Sequence, residues 1–413
     1  MSSDAEKTLR PDPIALGNVR PAIRALHEEL IALRRDFHRH PEPGFEEERT
    51  AGKVADFLAS CGDYAIRTGV AKTGVVADIA GSDPDGPWVL LRADMDALRI
   101  HEENAEIEYC SQNPGVMHAC GHDAHTAMLL GVARFLATRR DALKGGVRLI
   151  FQPAEEGPGG AEPMIREGVL ENPRPVAALG IHVWSKLPTG HLAITEGPVL
   201  ASTDELQFTI CGKGGHGAVP QETVDPIVAA AHYIMALQTI VSRNINPLDS
   251  AVLSIGRITG GSIMNAIAEQ VRMDGTQRCY LSETRDLLMR RMHELARGLD
   301  QTYGTETRVE VLDRYPATIN DAAVAGVLRE LVGSLIGPGC LKTDLRLMGG
   351  EDMAYYLEEI PGCFLFLGAG DSSRGLDRPH HNPRFNIDED ALPVGVEVFV
   401  RFIEHYVGAR LGD

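Results

Sequence analysis

Apolar residues recur at spacings of three and four through residues 21–39 (Ile23, Leu26, Leu30, Leu33, Phe37), which predicts an amphipathic helix. Pro41 and Pro43 end it, and residues 46–58 supply a second helix. Short β-rich runs follow at 75–79 and 88–91; the second leads into Arg-Ala-Asp-Met-Asp, so Asp94 and Asp96 fall at a strand's carboxyl end. Next come a helix over 122–138 and a strand over 147–152 that enters Pro-Ala-Glu-Glu-Gly. A short helix at 162–167 and a strand over 176–181 ending at His182 complete this stretch. Strands alternating with helices indicate an α/β sheet covered by helices on both faces.

From about Leu192 the pattern changes. A strand at 205–211, a helix at 225–242, strands at 251–258 and 269–280, a helix at 283–303 and a strand at 307–312 give the order β-α-β-β-α-β. That is the order of the ferredoxin-like split motif. The first pattern then resumes with helices at 321–333 and 351–359 and a strand at 363–367. The expectation is a discontinuous first domain of residues 1–191 and 313–413, with an inserted α+β domain at 192–312.

A length of 413 residues allows two domains with a core in each. Forty Lys and Arg stand against 58 Asp and Glu, a net charge of −18, which argues against nucleic acid or an anionic membrane as partner. A small acidic substrate held by local cations stays open. The seven cysteines are scattered, with no Cys-x-x-Cys, and fit a reducing compartment. No run approaches the ~20 apolar residues of a membrane span, and the first residues lack an apolar signal core, so a cytoplasmic location is expected.

Residues 117–125 read Met-His-Ala-Cys-Gly-His-Asp-Ala-His, directly before an apolar run. Cys120 and His122 are two apart, and thiolate with imidazole suits zinc and similar late divalent ions. The alternative is a helix entry with capping polar groups, in which Asp123 favours the first turn. Polar residues repeatedly follow the last apolar residue of a strand: Asp94 and Asp96, Glu155 and Glu156, His182. Open α/β sheets place ligands at that level. Neighbours in an extended stretch point to opposite sides. One of Glu155 and Glu156 can therefore bind metal while the other takes a proton from a water. Late in the chain, His380 and His381 precede Asn-Pro-Arg-Phe. Residues 212–217 match Gly-x-Gly-x-x-Gly, but Pro220 delays the helix and position 232 is histidine rather than an acid, so a dinucleotide site is rejected. His-Glu-x-x-His and Gly-x-Ser-x-Gly are absent.

Seven stretches carry a resemblance: Arg-Arg-Asp-Phe-His-Arg-His-Pro-Glu at 34–42, Leu-Arg-Ala-Asp-Met-Asp-Ala-Leu at 91–98, residues 117–125, Gln-Pro-Ala-Glu-Glu-Gly at 152–157, Gly-Lys-Gly-Gly-His-Gly-Ala at 212–218, Gly-Glu-Asp at 350–352 and His-Asn-Pro-Arg-Phe at 381–385. In this order the chain resembles the aminoacylase-type metallopeptidase superfamily, in its branch of N-acyl-amino-acid amidohydrolases. That branch includes hippurate hydrolases, auxin-conjugate hydrolases and acetyl-diaminopimelate deacetylases. The resemblance implies a phosphorylase/hydrolase-like mixed-sheet catalytic domain with an inserted ferredoxin-like lid or dimerisation domain. It implies two divalent ions per subunit (zinc, manganese, cobalt or nickel) on Cys120, His122, Glu156, His182 and His381, with Glu155 as general base. Asp96 would orient a ligand histidine, His216 would polarise the substrate carbonyl, often across a subunit interface, and Asn265 would bind substrate. The implied partners are a small N-acyl amino acid and a second copy of the chain, as a homodimer or dimer-based oligomer.

Four positions depart from the family pattern: Arg99, Gln221, Ala268 and His380. None removes a ligand or the base, so they bear on pocket shape. His380 also opens the question of which neighbouring histidine is the ligand, and the Asn-Pro register favours His381. A dipeptidase of the same superfamily would commonly carry His-x-Asp where this chain has Asp94-Met95-Asp96, and a bridging aspartate in place of Cys120. A non-enzymatic binding protein on this fold should have lost a ligand or the base.

Overall fold

The Trp88–Asp94 and Gly146–Gln152 strands are buried at every position, as strands of a sheet covered on both faces must be. In the computed structural model, which describes residues 11–413, they lie parallel near the middle of an eight-stranded mixed sheet. The order across that sheet is Ala65–Val70, Gly74–Ala80, Gly146–Gln152, Trp88–Asp94, Ala177–Pro188, Gly362–Gly370, Leu192–Ala193 and Leu341–Lys342. Neighbours from Gly146–Gln152 to Gly362–Gly370 are parallel, whereas Gly74–Ala80 runs antiparallel to both of its partners.

The His122–Leu136 helix is buried at every position but Arg134, so its apolar character all round is that of a central helix. It packs on the Trp88–Asp94 strand and is flanked by the helices His27–Arg39, Glu48–Ser60 and Ala391–Tyr406. Two sequence expectations change here. The helix of residues 21–39 is broken at Ala25 and Leu26 into Pro21–Arg24 and His27–Arg39. The strand expected to end at His182 continues to Pro188, because its parallel ladder with Gly362–Gly370 carries on past that residue. His182 therefore lies within a strand rather than at its end.

Contacts divide the chain into two units. The first takes the described residues through Val199, Ile319–Arg346 and Asp352–Asp413; the second takes Leu200–Thr318 and Leu347–Glu351. Both expected boundaries shift for a reason visible in the ladders. Leu192–Ala193 pairs with Gly362–Gly370 and Leu341–Lys342, which keeps residues after 191 in the first unit. Glu306–Tyr315 stays paired with Ser202–Cys211 as far as Tyr315, which keeps residues after 312 in the second.

In the second unit the chain order is strand Ser202–Cys211, helix Pro226–Arg243, strands Ala251–Gly260 and Gln270–Cys279, helix Ser282–Tyr303 and strand Glu306–Tyr315. The strands form one antiparallel sheet, ordered Ala251–Gly260, Gln270–Cys279, Ser202–Cys211, Glu306–Tyr315. Both helices share one apolar core with it, which includes Phe208, Tyr233, Leu237, Leu288 and Met292. Asp225 caps the first helix by accepting the Ile227 N–H at 2.9 Å. Among the described residues no helix is long and apolar enough to cross a membrane.

The first unit also buries charge. Arg34 is fully buried; its Nε donates to Asp123 Oδ2 at 2.8 Å, and its other nitrogens reach Glu389 at 3.1 Å and Asn386 at 2.9 Å. His38 adds a 2.8 Å contact to the same Asp123 oxygen and a 3.1 Å contact to Glu102. Burial alone would raise the Asp123 carboxyl, but Arg34 and His38 outweigh it and hold the group well below the usual carboxylate range. This network joins the His27–Arg39 helix to the first turn of His122–Leu136. Arg34→Met is expected to strand that carboxylate and cost about 3–5 kcal/mol of stability, the range for breaking a buried pair. Denaturant unfolding of variant and wild type measures it; a loss below about 1 kcal/mol, as at a surface pair, would show that Arg34 is not what holds the junction.

Candidate metal centre

Four segments of the first unit supply the polar side chains. Asp94 ends the Trp88–Asp94 strand and Asp96 follows it, and Cys120 and His122 sit at the entry of the central helix. Glu155 and Glu156 follow Gly146–Gln152, and His182 comes from Ala177–Pro188. His381 is brought in by a loop in which its own N–H donates to the Ala119 carbonyl at 2.8 Å. Gly121 is needed between Cys120 and His122: its φ is 93°, and a Cβ there would lie 2.4 Å from Val183 Cγ2.

Ligand atoms of Cys120, His122 and His182 lie within 4.8 Å of one another, as do those of Cys120, Glu156 and His381, and those of His122, Glu155 and Glu156. Cys120 Sγ is 3.5 Å from His182 Nε2, and His381 Nε2 is 3.2 Å from Glu156 Oε1. Every ligand candidate named from the sequence, and Glu155 with them, is thus in one constellation.

The ring nitrogens show which way each histidine is set. His122 Nδ1 faces the Asp96 carbonyl at 2.9 Å and Oδ1 at 3.2 Å, so it carries the proton and donates. In the neutral ring its Nε2 then holds the lone pair, and this buried atom has no hydrogen-bond partner. The nearest acidic oxygens, on Asp94, Glu155 and Glu156, are 3.6, 3.9 and 4.0 Å away. His182 Nδ1 donates to the Val183 carbonyl at 2.7 Å, which turns its own Nε2 lone pair toward Cys120. Asp96 does more than hold His122: Oδ1 accepts the Glu155 N–H at 3.0 Å and Oδ2 the Glu156 N–H at 2.9 Å.

A divalent ion fits this donor set. Burial alone would lower His122, yet Asp94, Asp96 and Glu156 push it up to about 10, so positive charge at its ring is strongly favoured. The Cys120 thiol is also pushed up, far above its ordinary value, by burial and by the two glutamates, which in its case favours the neutral form. A cation at this point satisfies the orphan imidazole and stabilises the thiolate together. His122, Cys120, His182, Glu156 and His381 are the side chains that would hold it.

Not every nearby histidine is available. His125 Nδ1 donates to Asp94 Oδ1 at 2.6 Å, and its Nε2 accepts the Val183 N–H at 2.9 Å, so both ring nitrogens are spent. That removes it from the Asp94, His122 and His125 cluster as a ligand. His380 Nε2 donates to the Val183 carbonyl at 3.0 Å, and its ring stacks on Trp184 at 4.3 Å. His381 is the member of the pair that faces Glu156. Asp123, with Arg34 and His38 on one oxygen, belongs to the helix junction.

His216 and Asn265 belong to the second unit, and no metal-holding cluster among the described residues includes either. They share a two-stranded ribbon in which His216 pairs with Ala266 and the Asn265 carbonyl accepts the Gly217 N–H at 2.8 Å.

Sequence reasoning missed the layer beneath the site. Arg92 donates to Asp94 at 2.8 Å, to Asp352 at 2.8 Å and to Gln152 at 3.0 Å. Asp352 also accepts the Gly160 and Ala161 N–H groups at 2.9 and 3.0 Å. The available signal was the spacing of Arg92 and Asp94, two apart on one strand face.

The family model for peptidase family M20/M25/M40 matches residues 90–405. An N-acetylcysteine deacetylase of Bacillus subtilis (strain 168) is 40% identical over 378 residues, covering 92% of this chain and 97% of that protein. IAA-amino acid hydrolase ILR1-like 4 of Arabidopsis thaliana is 38% identical over 382 residues, covering 92% and 86%. Among solved structures, the YXEP protein of Bacillus subtilis, a dinuclear metal-binding peptidase from the M20 family, superposes with a TM-score of 0.81 at 35% identity, covering 94% of this chain and 100% of that one. With a constellation suited to divalent ions and likeness along nearly its whole length, the chain belongs to peptidase family M20/M25/M40, in its amidohydrolase branch, and is a metal-dependent amidohydrolase.

Proposed function

We propose that this amidohydrolase cleaves N-acyl amino acids to a carboxylic acid and a free amino acid. Divalent ions would be held by Cys120, His122, Glu156, His182 and His381, with Glu155 as general base. One observation carries the reading: a buried His122 Nε2 without a partner, facing two adjacent glutamates at a strand end. The N-acetylcysteine deacetylase and the IAA-amino acid hydrolase among the relatives support the substrate class. Thiolate, imidazole and carboxylate donors together suit zinc, manganese, cobalt or nickel.

A bound divalent ion supplies Lewis acidity and a more acidic water. The chain's own residues do the rest. Glu155 takes a proton from the water whose oxygen forms the new bond to the acyl carbon. The same proton passes to nitrogen as the C–N bond breaks. Asp96 keeps the His122 lone pair outward and fixes the two backbone N–H groups from which Glu155 and Glu156 extend.

His216 is proposed to polarise the substrate carbonyl and Asn265 to bind substrate. The Ala218 N–H donates to His216 Nδ1 at 3.0 Å, so the exposed Nε2 carries the proton and can donate to an oxygen gaining charge. The β-α-β-β-α-β order of the second unit supports a ferredoxin-like lid and dimerisation domain. Met235, Leu248, Ile258, Ile263 and Met264, all exposed on this unit, supply apolar surface for a homodimer.

Asp96→Ala is expected to weaken metal binding by about 10–100-fold, the usual cost of removing a ligand's orienting partner. Chelator competition measures this, and unchanged affinity would remove Asp96 from the role. Glu155→Gln is expected to keep its metal and lose about 10²–10⁴-fold in kcat on N-acetyl or N-benzoyl amino acids; near-normal turnover in a metal-replete variant sinks the general-base assignment. If His216 serves the partner's site, mixing His216→Ala with Glu155→Gln should restore activity in the hybrid, where one site has both residues. Verified subunit exchange with activity still at the parents' background would exclude action in trans.

A further inference from the structure

Glu47 occupies the N-cap position of the Glu48–Ser60 helix, but its side chain makes no capping bond there. Glu42 caps that helix instead, accepting the Arg49 N–H at 3.0 Å, the Thr50 N–H at 2.8 Å and the Thr50 hydroxyl at 2.8 Å. The Glu47 carboxylate is turned inward, fully buried, and accepts the Ala154 N–H at 2.8 Å and the Thr73 hydroxyl at 2.6 Å. Burying a carboxylate is costly unless its bonds return the cost. One of those bonds goes to the residue immediately before Glu155.

Ala154 has a φ of 56°, a left-handed conformation that an alanine adopts only against its own preference. Gly44 backs it so closely that a Cβ on Gly44 would lie 2.9 Å from the Ala154 Cα. The same segment reaches the other side of the constellation: the Ala97 N–H donates to the Glu42 carbonyl at 2.8 Å, and Pro43 bridges to Ala97. Residues 42–47 therefore strap together the chain after Asp96 and the turn that carries Glu155 and Glu156.

We propose that Glu47 is a positioning residue for the Glu155–Glu156 pair, its carboxylate holding Ala154 in the left-handed conformation that aims both side chains. This rests on the roles proposed above for Glu155 and Glu156. Nothing in it needs Glu47 to touch substrate or metal.

The test compares Glu47→Ala, Glu47→Asp, Glu47→Gln and the double variant Glu47→Ala/Ala154→Gly, with Glu155→Gln alongside. Readouts are kcat and KM on an N-acetyl amino acid, zinc affinity by chelator competition, and thermal melting. Glu47→Ala is expected to lose about 10²-fold in kcat, the scale of a 1 Å misplacement, with KM changed only a few-fold. Zinc affinity should fall about tenfold, as when a ligand loses its support. Glu47→Asp, one methylene short, keeps the charge and guards against a variant that fails to fold; it should fall in the same direction. Glu47→Gln should recover to within a few-fold of wild type, since its Oε1 can accept the Ala154 N–H and its amide can donate to Thr73. Glycine takes a left-handed backbone without a clamp, so Ala154→Gly should restore at least about tenfold of the kcat lost in Glu47→Ala.

Wild-type kcat in folded Glu47→Ala or Glu47→Asp, beside an inactive Glu155→Gln, overturns the positioning role alone. So does a folded Glu47→Gln as impaired as Glu47→Ala. A fully active Glu155→Gln overturns this inference and the general-base reading together.

Discussion

The Asp96 carboxylate receives N–H groups from two segments far apart in sequence: the imidazole of His122 and the backbone of Glu155 and Glu156. A carboxylate with several such donors has little freedom to turn, so helix entry and strand end are referenced to one point. Take away that oxygen pair and His122 Nδ1 keeps only the Asp96 backbone carbonyl at 2.9 Å, while the glutamates lose the anchor of their own backbone. The rest of the constellation depends on this arrangement, because His122 Nε2 is useful only while Nδ1 keeps its proton.

Around this point the protein keeps two kinds of buried acid. Asp123 meets Arg34, and Asp94 and Asp352 share Arg92, each at 2.8 Å. Such pairs are seldom large net sources of stability, but removing one partner is expensive, so they hold a geometry more than they add to it. Glu156 instead faces His381 and the Cys120 thiol. The contrast separates scaffold from chemistry: where the acids meet arginine the chain is fixed, and where they look toward imidazole and thiol it can accept charge from outside.

How far this was legible in the sequence varies with the interaction concerned. The entry of the central helix could be read because Cys120, Gly121 and His122 are adjacent, and local spacing suffices there. Which of the clustered histidines is free could not be read, since His125 is used up by Asp94 and by Val183, both distant along the chain. The Ala391–Tyr406 helix has no clear helical signature: Pro393, Gly395 and four valines from 394 to 400 suit a strand better, and burial on nearly every side overrides that preference. Leu192 marks a change of pattern but not a change of unit, because sheet pairing outlasts the periodicity. Glu47 lies in an acidic run that looks like an exposed helix start, and its inward turn depends on Glu42 having taken over the cap.

Val183 is an ordinary strand valine, yet its peptide group serves three imidazoles. Its carbonyl accepts from His182 and His380, and its N–H donates to His125. The lone pair of His182 is thereby aimed by a backbone carbonyl, which no substitution at position 183 can delete; proline would remove only the N–H that serves His125. Donors aimed this way do not wait for an ion to arrange them. At His182 little ordering entropy is then left to lose on capture of an ion.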